Sequence, residues 1–256
     1  MPLHAITRPV SPSLANCELT HLAREPIDIA RAIEQHAAYE AILRALGATV
    51  VRASAAPDNP DAVFIEDTAV VLDEIAVATR PGAESRRGEV ADVARLLTDY
   101  RTVASIAAPG TMDGGDVLRI GTTLYVGRGF RTNQEGIEQL EYAVAAFGYS
   151  VVPVDFAGCL HLKTAATALS DDVVLLNPEW VSPEYFSGCD VIEVDGDEPF
   201  AANVLRVGNV LVYGSQFPRT RSLIEQRGSA VQTVDCTELA KAEGAVTCCS
   251  LVFNAP

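Results

Sequence analysis

A unit of two short apolar segments, a helical pattern and a further apolar segment recurs along this chain and constrains its fold more than any other feature. In the first copy, apolar residues 69–72 and 75–78 flank the turn-forming pair Asp73-Glu74, and a helical pattern over residues 85–97 leads to an apolar run at 102–106. Short apolar runs bounded by turn residues predict strands, and two such runs around a tight turn predict a hairpin. The unit is therefore predicted to be strand, strand, helix, strand.

Three more copies follow at a spacing of roughly 40 to 50 residues, a period typical of propellers and other repeat arrays. Their predicted hairpins are 117–120 with 124–127, 166–169 with 173–176, and 204–207 with 210–213, and their last strands are 149–154, 191–194 and 230–234. A capping box predicts that the helix of the second copy starts at Thr132 and that Gly148 ends it. In the remaining two copies, a short helix near Pro183 and a helix over 220–227 complete the pattern.

The two ends of the chain supply the pieces of a fifth unit. Residues 4–8 and 49–52 read as strands around a helix at 27–46, and residues 246–253 read as one more strand. Because no Pro/Gly/Ser-rich linker divides the copies, we expect a single α/β domain over residues 1–256, with about five modules arranged around an axis. Pairing of the terminal segments would close the ring and place Cys248 on a strand.

Composition limits the partners and the compartment. The 256 residues carry 34 acidic and 19 basic side chains, a formal charge of −15, which argues against a nucleic-acid partner and fits either a cationic small molecule or simple solubility. No apolar run is long enough to span a membrane, and the start lacks a secretory signal, so a soluble cytoplasmic protein is expected. The six cysteines form no CxxC pair and predict free thiols.

Chemically reactive residues fall just before the first strand of each hairpin. Glu66-Asp67, Asp113-Gly114-Gly115-Asp116, His161 and Cys248 occupy these equivalent positions. Each has an ordinary structural interpretation, as a turn residue, a core histidine or a buried thiol. In a ring of modules, however, they would converge on one central pocket. A thiol, an imidazole and carboxylates suit nucleophilic attack on an electron-poor carbon, and the additional acids suit a guanidinium.

Five motifs in this order carry a resemblance to a known family. They are Ile65-Glu66-Asp67-Thr68, Asp113-Gly114-Gly115-Asp116, Arg131-Thr132-Asn133, Leu160-His161-Leu162-Lys163 and Thr247-Cys248-Cys249-Ser250. Over essentially its full length, the chain resembles the dimethylarginine dimethylaminohydrolases, which belong with the arginine deiminases to the guanidino-group-modifying superfamily. The resemblance implies the five-bladed α/β propeller of that superfamily, called the pentein fold, with ββαβ modules around a central active site.

The resemblance also implies roles for individual residues. It makes Cys248 the nucleophile, His161 the general acid and base, and Asp113 the carboxylate that accompanies the histidine. It implies that Glu66 and Asp67 hold the guanidinium and that Arg86 and Arg131 hold the α-carboxylate of the substrate. Asp61 and the backbone of Leu19 would line the far end of the substrate.

The implied reaction is hydrolysis of an N(omega)-methylated arginine to citrulline and a methylamine through a covalent intermediate on Cys248. No cofactor and no catalytic metal are implied, and zinc bound to Cys248 and His161 would inhibit rather than assist. The expected partner is a small cationic substrate, without nucleic acid or membrane, and the protein is expected to be a monomer or homodimer.

Two other functions stay open at this stage. Arginine deiminases and related guanidino hydrolases or amidinotransferase-like enzymes share the thiol, histidine and acids, although the deiminases carry a helical insertion for which this chain has no spare stretch. A non-catalytic protein that binds a cationic amino acid would need the acids and arginines but would gain nothing from Cys248 and His161.

Overall fold

The computed structural model, which describes residues 1–255, contains five three-stranded sheets. In every sheet the middle strand is antiparallel to one neighbour and parallel to the other. In one sheet, for example, Val204 pairs with Tyr213 in the antiparallel register and Val210 pairs with Ala230 in the parallel register. A right-handed crossover segment containing a helix joins the parallel strands in α/β units of this kind. The predicted strand, strand, helix, strand module is confirmed in all five places, and the five-bladed α/β propeller is confirmed with it.

The elements follow the chain module by module. The N-terminal part supplies β1 (Leu3–Thr7), α1 (Ile29–Ala45) and β2 (Thr49–Arg52). The next module has β3 (Ala69–Val71), β4 (Ile75–Ala78), α2 (Val90–Leu97) and β5 (Thr102–Ser105). It is followed by β6 (Val117–Ile120), β7 (Thr123–Arg128), α3 (Gln134–Val144) and β8 (Ser150–Asp155).

The C-terminal half repeats the arrangement with shorter helices. A single turn, α4 (Leu162–Ala165), leads into β9 (Ala166–Ala168), β10 (Val173–Leu176), a 3-10 helix at Pro183–Phe186 and β11 (Asp190–Glu193). The last complete module has β12 (Val204–Val207), β13 (Val210–Gly214), α5 (Pro218–Gln226) and β14 (Ala230–Val234). After α6 (Thr237–Ala240), the chain ends with β15 (Leu251–Asn254).

Local sequence explains two of the tight hairpins. Gly121 and Gly208 connect β6 to β7 and β12 to β13 with φ angles of +57° and +59°. Side chains with a Cβ atom rarely adopt this left-handed conformation, so glycine suits these turns. The flanking strands bury Leu124, Val126 and Val212 in the apolar core.

The ring closes as predicted, but the closing strand is shorter than predicted. β15 pairs antiparallel with β1, for example through Ile6↔Leu251, and β1 pairs with β2 in parallel. The expected strand at 246–253 is wrong over its first half, because residues 246–249 form turns in which Cys248 N–H donates to the carbonyl of Ala245 at 3.2 Å. Cys248 therefore lies in a turn before the strand.

The capping residue of α3 also differs from the prediction. The side chain of Asn133, not Thr132, accepts the hydrogen bond from Gly136 N–H at 2.9 Å and caps the helix. Thr132 lies one residue earlier, fully buried, where its hydroxyl donates to Asp116 at 2.6 Å and accepts from Asp113 N–H at 3.1 Å. The threonine thus connects the two aspartates of the Asp-Gly-Gly-Asp motif.

Contacts between the modules run mainly through their first strands and the segments that precede them. β15 contacts β3, β6 contacts β9, and β9 contacts β12. The 3-10 helices at Ile65–Thr68 and Gly114–Asp116 contact each other, and the latter contacts α4. The segments with the reactive residues therefore meet at the centre of the ring.

No helix within residues 1–255 is both long and apolar enough to cross a membrane.

Candidate active site

Four segments that precede first strands bring the predicted reactive residues together. The backbone N–H of Glu66 donates to the carbonyl of Cys248 at 3.1 Å, and Gly115 N–H donates to Asp67 Oδ1 at 2.9 Å. His161 reaches the aspartate motif through a 3.0 Å contact with Asp113. The structure therefore confirms that these segments converge on one central site, as predicted.

The fifth module contributes a residue that the sequence analysis did not single out. Asn203 directly precedes β12, and its side-chain amide accepts from Thr247 N–H at 3.1 Å and donates to Thr247 Oγ1 at 3.0 Å. This pair of hydrogen bonds fixes the turn that holds Cys248. Its position before the first strand of the module was the signal that could have identified Asn203.

A small cavity with a free volume of about 20 Å³ lies between these segments. Its walls include the following residues: Glu18, Asp61, Phe64, Asp67, Arg86, Arg131, Leu160, His161, Ala242, Glu243, Gly244 and Cys248. That volume accommodates roughly one water molecule and is far too small for an amino acid. Part of the wall must therefore move before a ligand of that size can enter. We call residues 18–22, which supply Glu18 to the wall, the covering segment.

Cys248 is a half-buried thiol in an acidic environment. Burial raises its pKa to about 12, and the carboxylates of Glu66 and Asp67 add to the increase. Lys163 acts in the opposite direction but does not compensate. Because only the thiolate is a strong nucleophile, the raised pKa makes Cys248 a weak nucleophile in this state, and an additional positive charge beside the sulfur would increase its reactivity.

His161 is buried at the start of α4 and surrounded by acids. Its Nε2 lies 3.0 Å from Asp113 Oδ2 and 3.8 Å from Asp67 Oδ1. Burial on its own lowers the pKa of His161, but Asp67, the hydrogen bond to Asp113 and the charge of Asp116 outweigh burial and raise the pKa to about 9. The imidazole is therefore protonated at neutral pH and can act as a proton donor.

Two buried aspartates hold the histidine segment in place. Asp113 Oδ1 accepts from Gly82 N–H at 2.9 Å while its other oxygen faces His161. Asp116 accepts from Leu162 N–H at 3.0 Å and from Thr132 at 2.6 Å. Burial raises the pKa of Asp116 to about 6 despite these hydrogen bonds. Asp116 thus positions the residue next to His161 and has a structural part in the site.

Asp67 and Arg86 form a buried ion pair in the wall of the cavity. Burial raises the pKa of Asp67, but the charges of His161 and Arg86 dominate and lower it to about 2, so this carboxylate is ionised. The guanidinium of Arg86 also donates to Glu89 at 2.9 Å and to the carbonyl of Phe64 at 2.9 Å. These contacts hold the Arg86 side chain in the wall of the cavity.

Glu66 points away from the cavity that contains Cys248. Its carboxylate pairs with Lys163 and accepts from the hydroxyl of Thr247 at 2.8 Å. It lines a separate polar depression together with Lys163, Arg119 and Arg206. Burial raises the pKa of Glu66. Glu66 acts on Cys248 through its charge and through the backbone hydrogen bond between the two residues.

Arg131 and Asp61 line the cavity where Glu18 joins its wall. Arg131 is buried, with Nη2 3.5 Å from Glu18 and Nη1 3.7 Å from Asp113. Within residues 1–255, its Nε has no hydrogen-bond partner, so it retains donor capacity. Asp61 accepts from Glu18 N–H at 3.1 Å, and burial raises the pKa of Asp61 to about 6.

Glu243 is a site residue that the sequence analysis missed. It has a φ angle of +58°, which is unusual for a residue with a side chain. Its carboxylate accepts from the backbone N–H groups of Thr20 and Leu22 at 3.1 and 2.7 Å, and also from that of His21. Glu243 thereby fastens the segment that covers the cavity. Its position beside Gly244 gave no recognisable motif.

A metal could in principle be bound by three of these residues. Ligand atoms of Asp67, Asp113 and His161 lie within 4.8 Å of one another. The two aspartates, however, already accept hydrogen bonds from Arg86, Gly115 N–H and Gly82 N–H. A cation there would replace the proton that the imidazole carries.

Of the nine predicted site residues, six line the cavity: Cys248, His161, Asp61, Asp67, Arg86 and Arg131. The other three lie around it. Asp113 contacts the imidazole without lining the cavity, Glu66 faces Lys163, and Leu19, which is part of the segment at residues 18–22, is half-buried against the apolar core. The structure thus assembles the predicted set, while the contact of each residue with substrate stays a prediction.

No protein-family model matches the chain. Among curated proteins, the N(G),N(G)-dimethylarginine dimethylaminohydrolase of Streptomyces coelicolor is 42% identical over 96% of this chain and 95% of its own length. The enzyme of the same name from Pseudomonas aeruginosa is 36% identical over 98% and 99%. A solved structure of the Pseudomonas aeruginosa enzyme, complexed with citrulline, matches with a TM-score of 0.94 at 35% identity and covers 98% of both chains. With identity of this level over nearly the full length, the chain belongs to the dimethylarginine dimethylaminohydrolase family of hydrolases.

Proposed function

We propose that this protein hydrolyses asymmetric dimethylarginine and monomethylarginine to citrulline and dimethylamine or methylamine through a covalent intermediate on Cys248. The observation that carries the proposal is the presence of Cys248, protonated His161 and ionised Asp67 in the wall of one cavity. Family membership supports the same reaction, since close relatives are named for it and one contains citrulline.

Recognition of the substrate begins with charge. Asp67 is an ionised, buried carboxylate in the cavity wall, and Glu66 adds a second negative charge nearby. A guanidinium is planar and always cationic, and carboxylates bind it with paired hydrogen bonds. In the proposed complex, Asp67 contacts the guanidinium directly and Glu66 contributes mainly through its field.

Binding of the cationic substrate also increases the reactivity of the Cys248 thiol. After burial, the charges of Glu66 and Asp67 are the main causes of the raised Cys248 pKa, and Asp67 lies in the wall of the same cavity as the thiol. A cation bound in this cavity beside the sulfur offsets the negative charge of the two acids and lowers the thiol pKa. Cys248 is then activated by the substrate itself, and the free enzyme is protected from other electrophiles and oxidants.

The first half of the reaction consists of thiolate addition and amine departure. As the cation binds, Cys248 releases its thiol proton to solvent water. The thiolate sulfur then adds to the guanidinium carbon, which becomes tetrahedral as its C=N π bond opens. His161, held by Asp113 at 3.0 Å, donates its proton to the dimethylamino nitrogen, and the C–N bond breaks. Dimethylamine leaves, and the remaining amidine carbon stays bound to sulfur as a thiouronium.

The second half is hydrolysis of the covalent intermediate. The imidazole of His161 is now neutral and accepts a proton from a water molecule, whose oxygen adds to the same carbon. The C–S bond then breaks, the added hydroxyl gives up its remaining proton to solvent water and becomes the ureido oxygen of citrulline, and the thiolate is restored. Asp113 stabilises the imidazolium in both halves, and no cofactor takes part.

The α-carboxylate and α-ammonium groups of the substrate are assigned to the part of the cavity that Arg131 and Asp61 line. Arg131, whose Nε retains donor capacity, would bind the α-carboxylate, with Arg86 as a second contact. Asp61 and the carbonyl of Leu19 would accept hydrogen bonds from the α-ammonium group.

A cytoplasmic location is part of the proposal, because all six cysteines, each within the described residues, are free thiols that suit a reducing compartment.

The test is product release by purified protein. Asymmetric dimethylarginine and arginine are supplied in parallel, and citrulline, dimethylamine and ammonia are measured. We expect citrulline and dimethylamine in equal amounts from the first substrate and little product from arginine. Cys248→Ser should lose at least about a thousandfold in kcat, whereas Cys249→Ser, the matched control, should stay active. Preference for arginine with release of ammonia, or full activity of Cys248→Ser, would refute the proposal.

A further inference from the structure

The covering segment inserts its own carboxylate into the part of the site that is assigned to the substrate carboxylate. Glu18 Oε2 lies 3.5 Å from Arg131 Nη2, and the hydroxyl of Ser85 donates to the other carboxylate oxygen. The backbone N–H of Glu18 donates to Asp61 at 3.1 Å. One residue thus contacts both the cation and the anion at this end of the cavity.

The two partners of the ion pair differ in exposure. The Arg131 side chain is only 6% exposed, whereas that of Glu18 is 43% exposed. A buried guanidinium needs a nearby anion, and the other carboxylate within reach, Asp113 at 3.7 Å, is already engaged by His161. A half-exposed partner can return to water at small cost, so the pair with Glu18 is the replaceable one.

We propose that Glu18 is a displaceable counter-ion for Arg131 and that it sets how much the α-carboxylate of a substrate contributes to binding. This inference rests on the proposed function, which assigns that carboxylate to Arg131. An incoming carboxylate would take the donors Nη2 and Nε of Arg131, and Glu18 would move out with the covering segment. Glu18 is therefore a specificity-determining residue that acts through Arg131 and does not touch the reacting atoms.

The inference predicts opposite behaviour for two substrates. In Glu18→Gln, a ligand with an α-carboxylate no longer competes with an internal anion, so KM for dimethylarginine should fall about two- to fivefold with kcat unchanged. The decarboxylated analogue, with the same dimethylguanidine and amine but no carboxylate, should show no such fall. Discrimination between the two compounds should therefore increase.

Glu84→Gln is the matched control for the lost charge. Glu84 lies next to Ser85 and pairs with Arg87 on the surface, with its side chain 89% exposed. It should leave both KM values unchanged. In an Arg131→Gln background, Glu18→Gln should have no further effect on KM, because the group through which it acts is gone.

Three results would overturn the inference. A rise in KM for dimethylarginine in Glu18→Gln would mean that Glu18 holds the substrate ammonium group. An equal fall for both substrates would mean that the variant only loosens the covering segment. A fall that persists in the Arg131→Gln background would mean that Glu18 acts through another residue.

A binding measurement separates this inference from the proposed reaction. The Kd of L-citrulline, which carries the same α-carboxylate, is measured by calorimetry for the wild type, Glu18→Gln and Glu84→Gln. Tighter binding only in Glu18→Gln supports the counter-ion even if dimethylarginine is not turned over, in which case the proposed reaction alone fails. Normal turnover with unchanged Kd and KM overturns the counter-ion alone, and absence of both binding and turnover overturns both.

Discussion

His161 Nε2 lies 3.0 Å from Oδ2 of Asp113, a carboxylate that is completely buried. The contact connects the proton donor of the proposed reaction with a fixed negative charge. It also restricts the rotation of the imidazole, since Asp113 is itself held by Gly82 N–H. Together with the charge of Asp67, which is the largest cause of the raised His161 pKa, the contact with Asp113 explains how a buried imidazole can stay protonated at neutral pH.

Asp113→Asn should therefore impair catalysis more than binding. The amide can keep a hydrogen bond to His161 but not the charge that stabilises the imidazolium, so we expect kcat to fall about a hundredfold or more. KM for dimethylarginine should change little. Steady-state kinetics measure both, and Asp73→Asn, a surface substitution of the same kind, is the control. Equal kcat in the two variants would show that the Asp113 charge does not assist the histidine.

The pH dependence of kcat/KM should reflect the fact that the pKa of the Cys248 thiol lies above that of the His161 imidazolium. In the reactive state, Cys248 and His161 carry one proton between them, and it is on His161. Below the His161 pKa of about 9, the free enzyme carries two protons, one on Cys248 and one on His161. One proton must then leave, so kcat/KM should rise about tenfold per pH unit through the neutral range and level off near pH 9. A profile that is flat through neutral pH would contradict these protonation states.

Glu66→Gln should change thiol reactivity and substrate binding in opposite directions. Loss of this charge, with Lys163 left unopposed, lowers the pKa of Cys248, so alkylation of the free enzyme by iodoacetamide at neutral pH should accelerate about five- to tenfold. KM for the cationic substrate should rise, because one attracting charge is lost. Mass spectrometry of the alkylated peptide verifies that Cys248 is the site. Slower alkylation than in the wild type would refute the electrostatic role of Glu66.

Gly115→Ala tests how tightly the catalytic residues are packed. An added Cβ would lie 2.7 Å from His161 Nδ1 and 2.8 Å from Asp67 Oδ1, so the imidazole and the carboxylate must shift. We expect a loss of about 1–3 kcal/mol in the free energy of unfolding and a lower kcat. Gly188→Ala is the control, since its added Cβ would have no atom within 4 Å. Denaturant unfolding and kinetics measure both effects, and unchanged values for Gly115→Ala would mean that this packing is looser than described.

The repeated strands were predictable because periodicity and turn chemistry act locally. Val173–Leu176, Val204–Val207 and Ala230–Val234 have the predicted boundaries, since each is a short segment rich in β-branched residues that lies between turn-forming residues. The central convergence of the reactive residues was also predictable, because equivalent positions in a ring of modules meet. These features need no knowledge of distant contacts.

The orientation of individual side chains was not predictable, because it depends on partners far away in sequence. Glu66 turns towards Lys163 and Thr247, which lie in two other modules. Cys248 precedes its strand because Asn203 and Glu66 bind the turn that carries it. Glu243 holds the covering segment with a left-handed backbone that no local pattern indicated.

The central claim is that Cys248 attacks the guanidinium carbon, and intact-protein mass spectrometry during turnover tests it most directly. Samples quenched in acid within the first turnover of asymmetric dimethylarginine should contain an adduct with the mass of the substrate less dimethylamine. Peptide mapping should locate the adduct on Cys248, and the adduct should be absent from Cys248→Ser. Release of citrulline without any adduct under these conditions, or an adduct on another residue, would contradict the mechanism.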